Sequence, residues 1–227
     1  MVSSWCRCSR SWPCGILPVA AALLLCTGFT RAPAERTIER VGTFLVASSR
    51  LIDPRFRESV VLITQQNEHG TAGLIVNRPS EITLASAFPH NSALQGRSER
   101  LHFGGPVSLE SILLLVRSSE RPRRSIHVFG DTYMSSDVEL LEEKSGSDFA
   151  GRVRVFAGHA GWQPGQLRAE IERGDWYTVK ADEKTIFEVE PGSMWRKLIE
   201  GLAGHWVRRD VESLRIYGRA VAPAPPR

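Results

Sequence analysis

The sequence predicts an α+β protein with a single domain, in which helices flank a bent, mostly antiparallel sheet. Short runs of β-branched and aromatic residues are separated by brief turn signals, which is typical of antiparallel strands. Most of these runs are continuously apolar rather than alternating, so we expect both faces of the sheet to be covered. Amphipathic segments between and after the runs predict the covering helices. We assign this domain to residues 35–219.

The strand-like runs of the sequence define the predicted sheet. Asp53-Pro54 and Asn67–Gly70 separate the first three runs by short connections, which predicts an antiparallel meander. The runs are, in order, Phe44–Ala47, Val60–Thr64, Ala72–Val76, Leu101–Phe103, Ile112–Val116, Ile126–Phe129, Val153–Ala157 and Trp176–Val179.

Four segments are predicted to be helical from their caps and apolar spacing. In the segment Pro164–Arg173, Leu167 and Ile171 share one face at i, i+4. The segment Asn91–Arg100 is polar and is expected to be a surface loop. The predicted helices are Thr83–Phe88 with Thr83 as cap, a helix that follows the capping box Ser136–Glu139 and ends near Lys144 and Gly146, Pro164–Arg173, and Ser193–Leu202.

Residues 1–34 are expected to be a secretory signal peptide or an uncleaved N-terminal anchor. Arg7 and Arg10 precede an apolar stretch, and Ala32-Pro33-Ala34 offers the small residues of a leader-peptidase site. The stretch is short for a membrane span. We therefore expect a periplasmic or secreted protein that contacts a membrane only through an uncleaved leader. A misassigned start site would instead leave it in the cytoplasm.

Removing this leader changes the cysteine and charge arguments. All four cysteines lie within it, so the domain would have no disulfide or thiol chemistry. The leader also holds three of the 29 basic residues and none of the 25 acidic ones, which leaves residues 35–227 with a net charge of +1. A near-neutral domain argues against a dedicated nucleic-acid binder. The Ala/Pro-rich tail at 220–227 is expected to be disordered.

The most specific segment is Gly158–Leu167, which we interpret as a strand-to-helix corner. Its glycines would let backbone N–H groups approach an anion, and the helix dipole would favour that anion. Gln166 and Glu170 would project on the same side at i, i+4, with Trp162 as a wall. The alternative is that the glycines only fit a sharp turn and that Trp162 belongs to the core.

Two further segments with polar or glycine residues follow predicted strands. Arg78, next to Asn77, would hold a carboxylate or phosphate, or would tie a loop to an acid such as Asp53 or Glu170. Gly104-Gly105-Pro106 is expected to form a turn that needs an unusual φ at one glycine, and the alternative is that its close backbone lines a pocket.

The histidines and basic residues indicate little chemistry. His159 is the one candidate acid or base, but no GxSxG nucleophile elbow accompanies it. His102 and His127 lie in strand-like runs, where a core or cross-strand role is expected. Metal-binding and nucleotide-binding motifs are absent, so we expect no metal and no cofactor. The cluster Arg121–Arg124 is interpreted as a solvated loop.

Five ordered blocks between Gly42 and Leu202 together resemble the YqgE/AlgH family of bacterial proteins. The blocks are Phe44–Ala47, Asp53–Phe56 with Ser59-Val60, Gly73–Pro79, Phe103–Val107, and Gly158–Leu167 with Glu170 and Trp176. The resemblance implies an α+β fold around a bent sheet and an association with regulation of exopolysaccharide production, with no reaction or cofactor established for the family. His159 departs from the tyrosine usual at its position, and the leader departs from mostly leaderless relatives.

These observations support three hypotheses about function. The first is a non-catalytic binding or regulatory protein that holds a small anionic ligand or a segment of an unknown protein partner. The second is a hydrolase that uses His159 and Arg78, and the third is a cytosolic transcriptional regulator. The pocket of the first hypothesis is bordered by Asn77, Arg78, Gly104, Gly105, Trp162, Gln166 and Glu170.

Overall fold

A computed structural model describes residues 40–144 and 149–202, which contain a curled sheet flanked by helices. Eight strands follow one another across the sheet in the order β10-β1-β2-β3-β9-β6-β8-β7, while β5 pairs with β9 and β4 pairs with β5. The strands are β1 (Thr43–Ala47), β2 (Val60–Asn67), β3 (Gly70–Ile75), β4 (Pro79–Thr83), β5 (Arg100–Phe103), β6 (Val107–Arg117), β7 (Ser125–Phe129), β8 (Thr132–Ser135), β9 (Val153–Trp162) and β10 (Trp176–Lys180). The pairings are antiparallel except for that of β5 with β9. The predicted α+β class with a mostly antiparallel sheet is confirmed.

The predicted meander is formed by β1, β2 and β3, each antiparallel to the next. Val60 and Leu62 of β2 pack into one hydrophobic core, and Val61 and Ile63 pack into another on the opposite face. All four side chains are fully buried. A continuous apolar run is therefore explained by cover on both faces, because successive strand residues point to opposite sides.

The helices cover the two faces of the meander and the neighbouring part of the sheet. They are α1 (Leu84–Ala87), α2 (Leu140–Glu143), α3 (Phe149–Arg152), α4 (Gln166–Arg173), α5 (Glu183–Phe187) and α6 (191–202). The core that contains Val61 also receives Leu167 and Ile171 of α4, whereas α5 and α6 contribute to the core that contains Val60. A third core joins α1, α2 and α3 to β6 and β9. No helix within the described residues is long and apolar enough to cross a membrane.

The predicted corner at Gly158 is wrong in position. Strand β9 continues to Trp162, because Ala160 and Gly161 pair with β3 while His159 pairs with β6. The turn comes only afterwards, and α4 begins at Gln166 rather than at Pro164. Gly165 precedes α4 with φ of 77°, a left-handed conformation that favours glycine.

Other differences from the predicted elements are smaller. The predicted capping box does not form, since Glu139 makes no side-chain cap and the short α2 follows a turn that Asp137 stabilises. The loop 91–100 contains the fully buried Leu94 on a 3-10 turn. Strands β4 and β8 and helices α3 and α5 were not predicted from the sequence. The leader at 1–34, the stop at Gly146 and the tail at 220–227 lie outside the described residues.

Candidate functional site

Three of the seven predicted pocket residues, Trp162, Gln166 and Glu170, line one cavity of about 650 Å³. We call this the main cavity. Its walls are the end of β9, helix α4, the start of β10 and the loop between β1 and β2. The full lining is Arg50, Leu51, Ile52, Asp53, Arg55, Phe56, Pro106, Val107, Gly161, Trp162, Gln166, Glu170, Arg173, Asp175 and Trp176.

A hydrogen-bond network centred on Glu170 holds the main cavity in shape. One carboxylate oxygen, Oε2, accepts the indole N–H groups of Trp162 and Trp176, each at 2.8 Å. The other, Oε1, accepts from Gln166 Nε2 at 2.9 Å, across the i, i+4 spacing that the sequence predicts for this pair. Bonds to an ionised acceptor are among the stronger protein hydrogen bonds. The network therefore fixes both indoles before any ligand arrives.

Three aromatic rings pack together at this wall. Phe56 stacks on Trp162 with ring centroids 6.1 Å apart, and it meets Trp176 edge-on at 5.7 Å. The two indoles meet at 6.0 Å with an interplanar angle of 81°. Trp162 and Trp176 are buried, and Phe56 is half-buried on the loop between β1 and β2. This packing joins the loop to the sheet and makes one side of the main cavity apolar.

Asn77 and Arg78 hold that loop in place and do not line the main cavity. Asn77 accepts from Val60 N at 2.8 Å and donates to Glu58 O at 2.9 Å. Arg78 donates to the carbonyl oxygens of Arg55 and Arg57, the second at 2.7 Å. Burial lowers the pKa of Arg78.

Arg78 thus ties down the loop, but through carbonyls instead of the carboxylates that the sequence led us to expect. Asp53 pairs with Arg55 at 2.7 Å, and Glu170 is engaged by the indoles. Neither acid is bonded to Arg78.

Gly104 and Gly105 also lie outside the main cavity, where they pack against the backbone of β9. A Cβ atom on Gly104 would lie closer than 3.0 Å to Gly158 O, and one on Gly105 would lie equally close to His159. Gly104 also donates its N–H to Ala157 O at 2.9 Å. These glycines serve the close approach of two backbone segments, and the predicted pocket at this turn is filled by main chain.

The charges of the main cavity are arranged with carboxylates inside and guanidinium groups outside. The side chain of Arg55 is 63% exposed and that of its partner Asp53 is 32% exposed. For Arg173 and Asp175 the corresponding values are 61% and 13%. The hydrogen bond from Arg55 lowers the pKa of Asp53. Arg50 is exposed and forms no ion pair with any described residue, so it is the one arginine of the lining whose charge is not paired there.

A smaller depression of about 420 Å³ adjoins the main cavity, and we call it the side depression. The two share Val107, Gly161, Trp162 and Gln166. The side depression is further lined by Gln65, Asn67, His69, Gly70, Thr71, Ala72, His159 and Gln163. The backbone N–H of Gln163, in the turn before α4, donates to Gln166 Oε1 at 3.0 Å. This N–H is therefore not free to bind an anion.

His102, on β5, is the most unusual titratable group away from these cavities. It is 6% exposed, and neither ring nitrogen has a hydrogen-bond partner. Burial lowers its pKa to about 4, and the positive charge of Arg154 acts in the same direction. The carbonyls of Arg100 and Val155 oppose this shift, although neither reaches a ring nitrogen in hydrogen-bond geometry. The expected core role of His102 agrees with its burial.

The remaining predicted groups have local partners. His127 contacts Tyr133 across the strands, with ring centroids 5.3 Å apart. Arg123, in the basic loop, pairs with Glu139 and lies 3.5 Å from Asp137. Within residues 40–144 and 149–202, no three His, Cys, Asp or Glu side chains gather as a metal-ligand group.

Sequence reasoning alone missed Arg50, Phe56 and Trp176 as cavity residues. Phe56 and Trp176 do belong to the sequence blocks that carried the family resemblance, and membership of those blocks was the signal that could have identified them. Arg50 left no comparable pattern, because what distinguishes it is that its side chain forms no ion pair with a described residue.

Comparison with known proteins places this fold in a family. The family model described as AlgH-like, DUF179, matches residues 44–207. A UPF0301 protein of Chlorobaculum tepidum is 34% identical over 174 residues, which cover 76% of this chain and 91% of the relative. A UPF0301 protein of Mycobacteroides abscessus is also 34% identical, over 76% of this chain and 83% of its own length.

Two solved structures share the fold. The crystal structure of a Corynebacterium diphtheriae protein has a TM-score of 0.59 at 25% identity and covers 70% of this chain and 85% of its own. The solution structure of the AlgH protein from Pseudomonas aeruginosa has a TM-score of 0.55 at 24% identity, over 82% and 95% respectively. The family match, the relatives and the fold agree, and the chain belongs to the AlgH-like (YqgE/AlgH, UPF0301) family.

Proposed function

We propose that the protein is a binding protein that takes an anionic group, of a small ligand or of a partner segment, in the main cavity. The observation that carries the proposal is the Glu170 network. It satisfies both indole N–H groups, so the packed aromatic wall of the main cavity contains no unpaired donor. A concave, largely preformed site with few convergent polar groups is the usual form of a ligand site.

The preference for an anion follows from the outer rim. Arg55 and Arg173 are bonded to Asp53 and Asp175 but are more exposed than these carboxylates, so part of each guanidinium group stays open to an approaching ligand. Arg50 adds a positive charge without an ion-pair partner among the described residues. Guanidinium groups bind carboxylates and phosphates in a two-pronged geometry.

The hydrolase hypothesis receives less support from the same geometry. Arg78, its proposed anion holder, is engaged with two loop carbonyls. His159 lies at the side depression beside amides and glycines. If it were a catalytic base, His159→Tyr would abolish turnover; we expect this variant to fold and to keep its ligand binding.

The experiment is a thermal-shift comparison of matched compounds. Benzoate and phenyl phosphate carry an anion on a flat apolar group, benzamide lacks the charge, and acetate lacks the ring. We expect the first two to raise the melting temperature more than the last two, and Arg50→Ala to reduce that difference. Arg196→Ala removes the same charge from an exposed position outside the cavity lining and serves as the control.

The proposal is wrong if neither aryl anion stabilises the protein more than benzamide does. It is also wrong if Arg50→Ala and Arg196→Ala have the same effect on benzoate binding, because the anion would then not reside at this rim.

Export through the leader is a second proposal, and it rests on the sequence alone. N-terminal sequencing of the protein from its own cells is expected to begin at Glu35. A protein that begins at Met1 would mean an uncleaved anchor, and recovery from the cytosol would favour a misassigned start.

A further inference from the structure

The main cavity and the side depression form one composite groove. They share four residues around the end of β9, and their volumes are about 650 and 420 Å³. A pocket for a single drug-sized ligand usually measures roughly 300–1,000 Å³. The main cavity alone reaches that size, so the adjoining side depression gives room for a ligand that extends beyond the main cavity.

Apolar side chains are exposed at the main cavity although nothing within the described chain covers them. Ile52 is 93% exposed on the loop between β1 and β2, and Val107 is 39% exposed on β6. Leu109, two residues further along, is 53% exposed where β6 leaves its pairing with β9. Exposed apolar groups that gather beside a cavity are typical of protein interaction sites.

The side depression offers amides instead of charges. Gln65 and Gln163 line it, and their side chains make no hydrogen bond within residues 40–144 and 149–202. An amide side chain both donates and accepts, as does a peptide main chain. The side depression is thus suited to the main chain of a bound peptide, while the main cavity is suited to the side chains of that peptide.

We propose that the occupant of the composite groove is an extended acidic segment of a partner protein. An apolar side chain of that segment covers Ile52 and Val107, acidic side chains meet Arg50, Arg55 and Arg173, and the main chain runs past Gln65 and Gln163. The charge complementarity comes from Arg50, which has no ion-pair partner among the described residues, and from Arg55 and Arg173, which are the more exposed members of their ion pairs. This inference rests on the proposed function, because it names the partner class of the same site.

The test uses fluorescein-labelled nine-residue peptides and fluorescence anisotropy with the full chain. One library contains Asp and Glu around a central Leu, Ile or Phe. A second library has Ser at the centre, and a third has Lys in place of every acid. We expect members of the first library to bind, with at least about tenfold weaker binding in the second and none in the third.

Variants then place the peptide on the composite groove. Ile52→Ser is expected to weaken peptide binding by about tenfold, since the apolar cover is lost. Ile82→Ser is the matched control, because Ile82 is 50% exposed outside the composite groove. The high exposure of Ile52 means that its variant should unfold at the same temperature as the parent, so a binding loss is not a folding loss.

The outcomes separate this inference from the proposed function. If benzoate binds in an Arg50-dependent way while no peptide binds, the partner is not an acidic segment but the anion site stands. If neither binds, both proposals fall. Peptide binding that ignores charge reversal, or that Ile52→Ser and Ile82→Ser affect equally, would also overturn the inference.

Discussion

Lowering the pH from 7 to 5 is expected to destabilise the protein by about 2 kcal/mol through one side chain, His102. In the folded chain its pKa is about 4, against an ordinary value of 6.5. The main cause is burial of both ring nitrogens without a hydrogen-bond partner, and the positive charge of Arg154 adds to it.

The sign follows from which state binds the proton. Because the folded pKa lies below the unfolded one, the unfolded chain takes up a proton first as the pH falls, and protonation favours unfolding. As the pH falls, the loss of folding stability begins near the unfolded pKa of 6.5 and is complete below the folded pKa of about 4. The full span corresponds to about 3 kcal/mol, at about 1.4 kcal/mol per pKa unit.

The assay is urea denaturation at pH 7 and at pH 5 for the parent, His102→Leu and His90→Gln. His102→Leu removes the titrating group from its buried place and should lose about 2 kcal/mol less than the parent between the two pH values, whatever its stability at pH 7. His90 is exposed, so its variant should keep the pH dependence of the parent. An unchanged pH dependence in His102→Leu would refute the reasoning.

Three further predictions concern the residues that shape the site, each measured by urea denaturation. Gly104→Ala should cost more than about 3 kcal/mol or prevent folding, because its Cβ would meet the β9 backbone, whereas Gly151→Ala, with open space, should stay within about 1 kcal/mol. Glu170→Ala should cost about 2–4 kcal/mol by leaving two indole N–H groups without their acceptor, and Glu170→Gln should cost less; equal costs would contradict the network. Arg78→Ala should cost about 1–3 kcal/mol and should speed proteolysis of the loop that it holds; an unchanged cleavage rate would contradict the tethering role.

Most strand positions were predictable because the residues of the strand itself carry the signal. The runs at Phe44, Val60 and Trp176 are rich in β-branched and aromatic residues, and each proved to be a strand of the sheet. The i, i+4 pair of Gln166 and Glu170 was also predictable, because both residues belong to one short helix.

The site was only partly predictable, because its residues find partners far away in the sequence. Glycine signals a turn when considered locally, yet Gly158 and Gly161 lie within β9, beside the β5–β6 connection and β3. The guanidinium group of Arg78 can donate equally well to a ligand, a carboxylate or a carbonyl, so the sequence does not determine its partner. In the folded chain it donates to two loop carbonyls 21 and 23 residues away.

Composition, periodicity and local caps thus determined the fold class, the meander and the apolar face of α4. These features depend on contacts within a few residues, where propensity and burial pattern agree. The tertiary structure alone decided that Trp162 and Trp176 share the carboxylate of Glu170. It also decided that Gly104 and Gly105 pack against the backbone of β9 instead of lining a pocket, and that Arg50 lies at the rim of the main cavity. The reason is that glycine, arginine and tryptophan side chains each suit several environments, and only long-range packing selects among them.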